Sequence, residues 1–312
     1  MTPSFIRDRH NAGMTFFNRW YSVLRDTFRF WTEGQAFVYA AALAFFTVFS
    51  IAPVVIVAVA VVGLVLGEEA ASGQIMTELK GAIGPQAAEF VQTAVLSAKL
   101  DADGSWATAL GAALILVGAT TVFSQMQNAL NAIWDVSPKP DRSSILRELL
   151  TRLMSLTILL AIGFVLLVSL LLSIVVRALV EFADDWLPMS DSLLLWADFG
   201  VSVLLVTLLF AAIFRVLPEV VLSFGDVLLG AFITALLFTV GRSLISAYLA
   251  GSAAASAYGA AGSLVVLLLW VNYSAWILLF GAAFVRAHLQ MRGKPIVPRA
   301  MAVRVRRIQI EA

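Results

Sequence analysis

Three groups of polar residues interrupt an otherwise apolar chain of 312 residues, and their spacing defines the chemistry available to it. Asp198 and Arg242 are the two ionisable residues that stand clearly within long apolar stretches. A charge at that depth is costly, so each is a functional candidate by default. Asp198 lies roughly 7 Å inside its stretch and Arg242 about 24 Å from the opposite surface, at 1.5 Å per helical residue. In a core of ~30 Å the two depths agree, which predicts that they lie close together near the outer mouth of the bundle, within reach of forming an ion pair. Such a pair serves as a gate or an anion contact; as a purely structural feature it is a clamp, or an Arg that snorkels outward. The second group, Ser124, Gln127, Asn128 and Asn131, recurs at three- and four-residue spacing and so shares one helix face. That face suits a polar cavity or a headgroup, and equally the hydrogen bonds that join membrane helices. The third group, Arg215, Glu219 and Asp226, surrounds Pro218 and reads either as an inner gate that pairs and unpairs or as a charged interfacial loop.

None of these groups is catalytic in pattern. The chain has no cysteine, and its two histidines, His10 and His288, flank the apolar part, so neither a thiolate or imidazole metal site nor a thiol nucleophile is expected. A nuclease needs a carboxylate cluster or a paired acid and base, and no such set is present. A GxxxxGK[ST] nucleotide loop is also missing from the sequence. No cofactor and no nucleic-acid partner are expected.

The elements that must position these residues are membrane helices. Apolar residues make up 61% of the chain and charged residues 13%, about half the charge of a soluble domain. In a bilayer every backbone polar group must be satisfied internally, so long uncharged stretches become helices. About six are expected, at 36–66, 106–134, 153–176, 193–214, 227–249 and 261–285, within a membrane domain of residues 35–285. The first contains Pro53, and the small-residue stretch from Gly251 to Gly262 separates the last two. The fold class is therefore all-α, a polytopic membrane helical bundle.

Lys and Arg number 5 in residues 1–34, 4 in 135–152, 1 in 215–226 and 7 in 286–312, against 2, 1 and 1 in the intervening segments. The positive-inside rule then puts both termini in the cytoplasm. Residues 1–34 carry no signal-peptide pattern and form an amphipathic segment. Within it Phe17, Trp20, Tyr21, Leu24, Phe28 and Trp31 oppose Asn18, Arg19, Ser22, Arg25 and Arg29, as on a helix lying on anionic lipid or packed under the bundle. Residues 70–100 are read as short outer-face helices broken near Gly84 and Pro85. The tail, 286–312, carries Arg292, Lys294, Arg299, Arg304, Arg306 and Arg307, a pattern that suits anionic lipid. It lacks the interleaved aromatics that stack RNA bases.

Four segments resemble the YihY/BrkB family of bacterial inner-membrane proteins: AAALAFFTVFSIAP from Ala40 to Pro53, NALNAIWDV from Asn128 to Val136, FRVLP from Phe214 to Pro218, and YGAAGSLVVLLLWVNYSAWILLFGAAFVR from Tyr258 to Arg286. The resemblance covers the whole membrane part. It implies a multi-pass inner-membrane protein, carries an old ribonuclease BN label and a virulence or serum-resistance label, and suggests transport of lipids or envelope precursors. Two positions depart from the family, which commonly has Gln where Trp276 stands and Glu where Ala283 stands. The expected function is a secondary transporter or a translocase of lipid or another amphiphile, with membrane lipids as partners and a lipid, anion or small molecule as substrate. The alternative is a non-transporting scaffold for envelope integrity.

Overall fold

The computed structural model describes residues 16–97, 106–139, 191–251, 261–300 and 302–305. The span expected at 153–176 lies outside the described residues. Among the described residues there are eight helices: α1 (Phe16–Glu33), α2 (Ala36–Leu66), α3 (Glu68–Ile83), α4 (Pro85–Ser97), α5 (Trp106–Trp134), α6 (Asp191–Val216), α7 (Phe224–Gly251) and α8 (Gly262–Met291). Two three-residue strands, β1 (Val136–Pro138) and β2 (Ala302–Arg304), complete the described part. The fold is an all-α membrane bundle. Among the described residues four stretches are long and apolar enough to cross a bilayer: Ala36–Leu64, Phe199–Val216, Phe224–Ile245 and Gly262–Met291.

Each helix boundary has a local cause. Between α2 and α3, and again between α3 and α4, the chain turns at Gly67 and Gly84, both at φ 84°, a conformation that strains residues bearing a Cβ. Their amides close the preceding helices by donating to the Gly63 and Lys80 carbonyls at 2.9 and 3.1 Å. Pro53 sits inside α2, where it has no N–H to give. There α5 comes close, since a Cβ on Gly118 would lie 3.0 Å from the Pro53 ring. Ser223 and Asp226 start α7 as an N-terminal box: the Ser223 hydroxyl donates to the Asp226 carboxylate at 2.7 Å, and its amide does so at 3.3 Å.

The helices pack as two pairs on a shared partner. α2 lies against α5 and α6 against α7, while α8 packs on both α2 and α7. The α7–α8 contact runs through glycines: Gly230 abuts Val285, Gly241 abuts the Tyr273 hydroxyl, and Gly281 abuts Thr234. Small residues let backbones approach, which is how membrane helices gain packing energy without a hydrophobic driving force. The largest fully buried side chains include Trp134, Phe214, Leu130, Ile133, Leu217 and Leu279. These residues gather toward one end of the bundle, where α5, α6 and α8 finish and α2 and α7 begin. We call it the basic end. At the opposite end α3 and α4 add Met76, Ile83, Ala87, Ala88 and Val91 to a second core with Val55, Val266 and Leu267.

Only 24% to 39% of each spanning stretch is buried inside the protein, and large side chains such as Phe49 and Leu64 stay exposed. In water such a surface would aggregate; against acyl chains it is neutral. Amphipathic α1 uses both sides of its aromatic face. Trp20 stacks on Phe284 and His288, Phe28 meets Phe280, and Trp31 meets Phe280 and hydrogen-bonds the Trp276 carbonyl. These contacts move from the end of α8 toward its middle as the chain advances, so α1 runs antiparallel along α8. Tyr21, Leu24 and Phe28 remain exposed on its other flank.

Candidate functional site

Two places on α8 concentrate unusual polar chemistry. The first is a single turn near its middle. In a 30-residue helix of about 45 Å, Trp276 stands at the midpoint and Asn272 one turn, about 6 Å, nearer the start. Tyr273 of the same turn faces α7 at Gly241, while the Trp276 ring lies 5.3 Å from that of Phe37 on α2. The turn is thus framed by both helix pairs. Asn272 Oδ1 and Trp276 Nε1 are buried, and neither has a hydrogen-bond partner. Buried polar atoms are nearly always paired, and an unpaired one at this depth costs roughly 1–3 kcal/mol. Together they offer an acceptor and a donor of no net charge to a third group.

The second place is the basic end, where polar contacts cross between elements far apart in sequence. Arg286 is 5% exposed, and its guanidinium donates to the Ile133 carbonyl and to the Asp135 carboxylate, the latter at 2.5 Å. The Phe30 ring lies 4.0 Å below it, adding a cation–π contact. Asp135 reaches this position because it takes the left-handed conformation, φ 50°, as the chain leaves α5. Asn131 is buried, and its side-chain oxygen accepts the Glu219 amide at 2.8 Å, tying α5 to the α6–α7 loop.

Residues 292–300 and 302–305 lie across this end as a strap. Asp226 accepts a hydrogen bond from Lys294, with Arg292 3.9 Å away. Val221 donates to the Val297 carbonyl, Arg299 donates through its amide to Glu219 and through its guanidinium to the Arg215 carbonyl, and Lys139 donates to Ala300. β2 pairs antiparallel with β1 in the register Val136 to Arg304, Ser137 to Val303 and Pro138 to Ala302. Val305 then donates to the Asp135 carbonyl at 2.8 Å.

The residues singled out in the sequence are placed as follows. Arg215, Glu219 and Asp226 all lie at the basic end within the strapped region; Arg215 stacks over Phe224 at 3.8 Å, and Asp226 holds the strap. Of the α5 polar face, Asn131 is engaged with Glu219, Ser124 donates to its own helix at Thr120, Gln127 is half-buried and Asn128 is exposed. Arg242 is exposed on α7, and Asp198 lies in a part of α6 whose side chains are outside the described residues. In the tail, Arg292, Lys294 and Arg299 make contacts within the chain and Arg304 is exposed, while Arg306 and Arg307 lie outside the described residues. Among the described residues no three His, Asp or Glu side chains converge as metal ligands. The sequence reading did not single out Asn272, Asp135 or the strap. A lone Asn inside the apolar run from Gly262 to Phe284 was the available signal for the first.

Comparison with known proteins agrees with this architecture. The chain is 29% identical over 201 residues to a UPF0761 membrane protein of Idiomarina loihiensis, covering 64% of this chain and 65% of that one. It is 31% identical over 183 residues to YfkH of Bacillus subtilis, a protein named as ribonuclease-like, with 57% and 64% covered. A UPF0761 membrane protein of Pseudomonas paraeruginosa is 29% identical over 249 residues, with 79% and 57% covered. The chain thus spans less than two thirds of the length of these relatives. No solved structure matches it. The virulence factor BrkB family matches residues 27–304, and with its long apolar helices the chain belongs to that family of membrane proteins.

Proposed function

We propose that the protein moves a lipid or another amphiphile across the membrane, as a secondary transporter or translocase, with its basic end in the cytoplasm. The observation that carries this reading is the unpaired Asn272 and Trp276 at mid-helix, framed by both helix pairs. A scaffold gains nothing from polar atoms left unpaired at that depth, whereas a passing substrate supplies the missing partners. Exposed aromatics beside the turn, Phe28 and Phe37, favour lateral entry from lipid and so an amphiphilic substrate. The charge pattern of the sequence supports the orientation, since 17 of the 21 Lys and Arg residues fall in four segments that alternate with three holding the other 4.

The test is flux of tail-labelled phosphatidylethanolamine and phosphatidylglycerol, and of entrapped small solutes, in proteoliposomes holding the full chain. Asn272→Leu and Trp276→Phe should each lower flux at least tenfold while leaving stability in mixed micelles equal or higher. Flux unaffected by either substitution would remove the site. Absence of flux for every probe would favour the scaffold.

A further inference from the structure

We propose that the strap formed by residues 292–300 and 302–305 is the latch of the basic-end gate, an inference that rests on the transport reading. Its anchors fall on two different parts of the bundle. Lys294, Val297 and Arg299 hold the start of α7 and the α6–α7 loop, through Asp226, Val221, Glu219 and the Arg215 carbonyl. Ala300, β2 and Val305 hold the end of α5, through Lys139, β1 and the Asp135 carbonyl. The strap therefore joins the α2–α5 pair to the α6–α7 pair at one end only, and the polar turn of α8 lies between those pairs. While it is fastened, the pairs cannot part at the basic end.

The fastening is of a kind that releases. Lys294 and Arg292 are 43% and 44% exposed, so their attraction to Asp226 is screened and small. A two-stranded ribbon with three residues a side is marginal by itself. Ala302 is the one strap residue among those described that is buried. The strap itself is held by half-exposed polar contacts and a short ribbon, which exchange readily with water, and it lies over the apolar core of Trp134, Phe214 and Leu217 at the same end.

Because the chain has no cysteine, the latch can be locked by a single engineered pair. Ser137 and Val303 face each other in register, a spacing that a disulfide spans. With Ser137→Cys and Val303→Cys in the full chain in proteoliposomes, oxidation should lower flux of the tail-labelled lipids at least tenfold, and reduction should restore it. A second readout needs no substrate. A membrane-impermeant maleimide applied from the basic side should label Asn272→Cys at least threefold faster when Asp226→Asn loosens the strap. Flux that continues unchanged through the oxidised pair, together with labelling indifferent to Asp226→Asn, overturns the latch and leaves the transport reading standing. Labelling that follows Asp226→Asn in a protein without flux overturns the transport reading and leaves the latch. Failure of the two cysteines to cross-link would contradict the ribbon itself.

Discussion

The contact between Arg286 and Asp135 allows the strength of the basic end to be worked out and tested. Arg286 has 6% of its side chain exposed and Asp135 34%, so the pair is neither a surface bridge nor a sealed one. Breaking a buried pair by removing one partner costs about 3–5 kcal/mol, and an exposed pair is worth roughly 0.2–1 kcal/mol. With one partner a third exposed, Asp135→Asn should cost about 2 kcal/mol. That is about thirtyfold in the ratio of folded to unfolded protein at 1.4 kcal/mol per factor of ten. Arg286→Gln should cost more, about 3 kcal/mol, because it also gives up the bond to the Ile133 carbonyl and the contact with the Phe30 ring. The double variant should cost about 3 kcal/mol as well, since once the guanidinium is gone the replacement of Asp135 has no ion pair left to break. Reversible unfolding by SDS in mixed micelles measures all three. Costs that add to within about 0.5 kcal/mol would refute the coupling, and with it the idea that Asp135 adopts its left-handed turn in order to meet Arg286.

Two further substitutions probe the packing around the site by the same assay. Asn131→Ala leaves the Glu219 amide without its acceptor and should cost about 1–2 kcal/mol; an unchanged midpoint would mean that the loop finds another partner. Gly281→Ala would bring a methyl group against Thr234 and to 2.9 Å from the Phe214 ring, so overpacking of about 1–3 kcal/mol is expected, with Gly200→Ala, in open space, as the silent control.

Much of this architecture is legible in the sequence because the membrane imposes a simple code. Uncharged stretches of the right length become helices, and α2, α5, α6, α7 and α8 fall on stretches recognised by that means. Gly84 before Pro85 marks the break between α3 and α4, since one takes a positive φ and the other starts a helix well. The Ser223-to-Asp226 box was not singled out in the sequence, where Asp226 beside Pro218 reads as part of an inner gate or of a charged interfacial loop. The strap was not legible. Its strands are three residues long, contain no alternating pattern and find their partner far away in the chain, so no local signal marks them. The basic residues of the tail suggested lipid, because sequence alone does not show that Asp226, the Arg215 carbonyl and the Glu219 carbonyl are waiting for them. Asn272 was hidden for a different reason. Attention in a membrane goes to charge, and a neutral amide is notable only once its surroundings are known to offer it no partner.

The polar turn and the latch belong to one mechanical element, and this gives the proposed mechanism its internal logic. The strap is the direct continuation of α8: the Arg292 amide closes on the His288 carbonyl, Lys294 closes on Leu289, and the chain turns at Gly293 straight to Asp226. From Asn272 to Lys294 is 22 residues, about 33 Å at helical rise, of which all but the last few form one unbroken helix. The half of that rod toward the basic end is clamped by Arg286 to α5, by Trp20 and Phe30 to α1, and through Gly230 and Gly281 to α7. A helix held so does not stretch, so a ligand at Asn272 acts on the strap only by displacing α8 as a body against one of its two neighbouring pairs. Coupling of this kind is reciprocal: whatever factor a bound amphiphile contributes to opening the latch, an opened latch returns to its binding. Locking the strap must then weaken the hold of the mid-helix turn on its ligand by that same factor, whichever lipid the turn accepts.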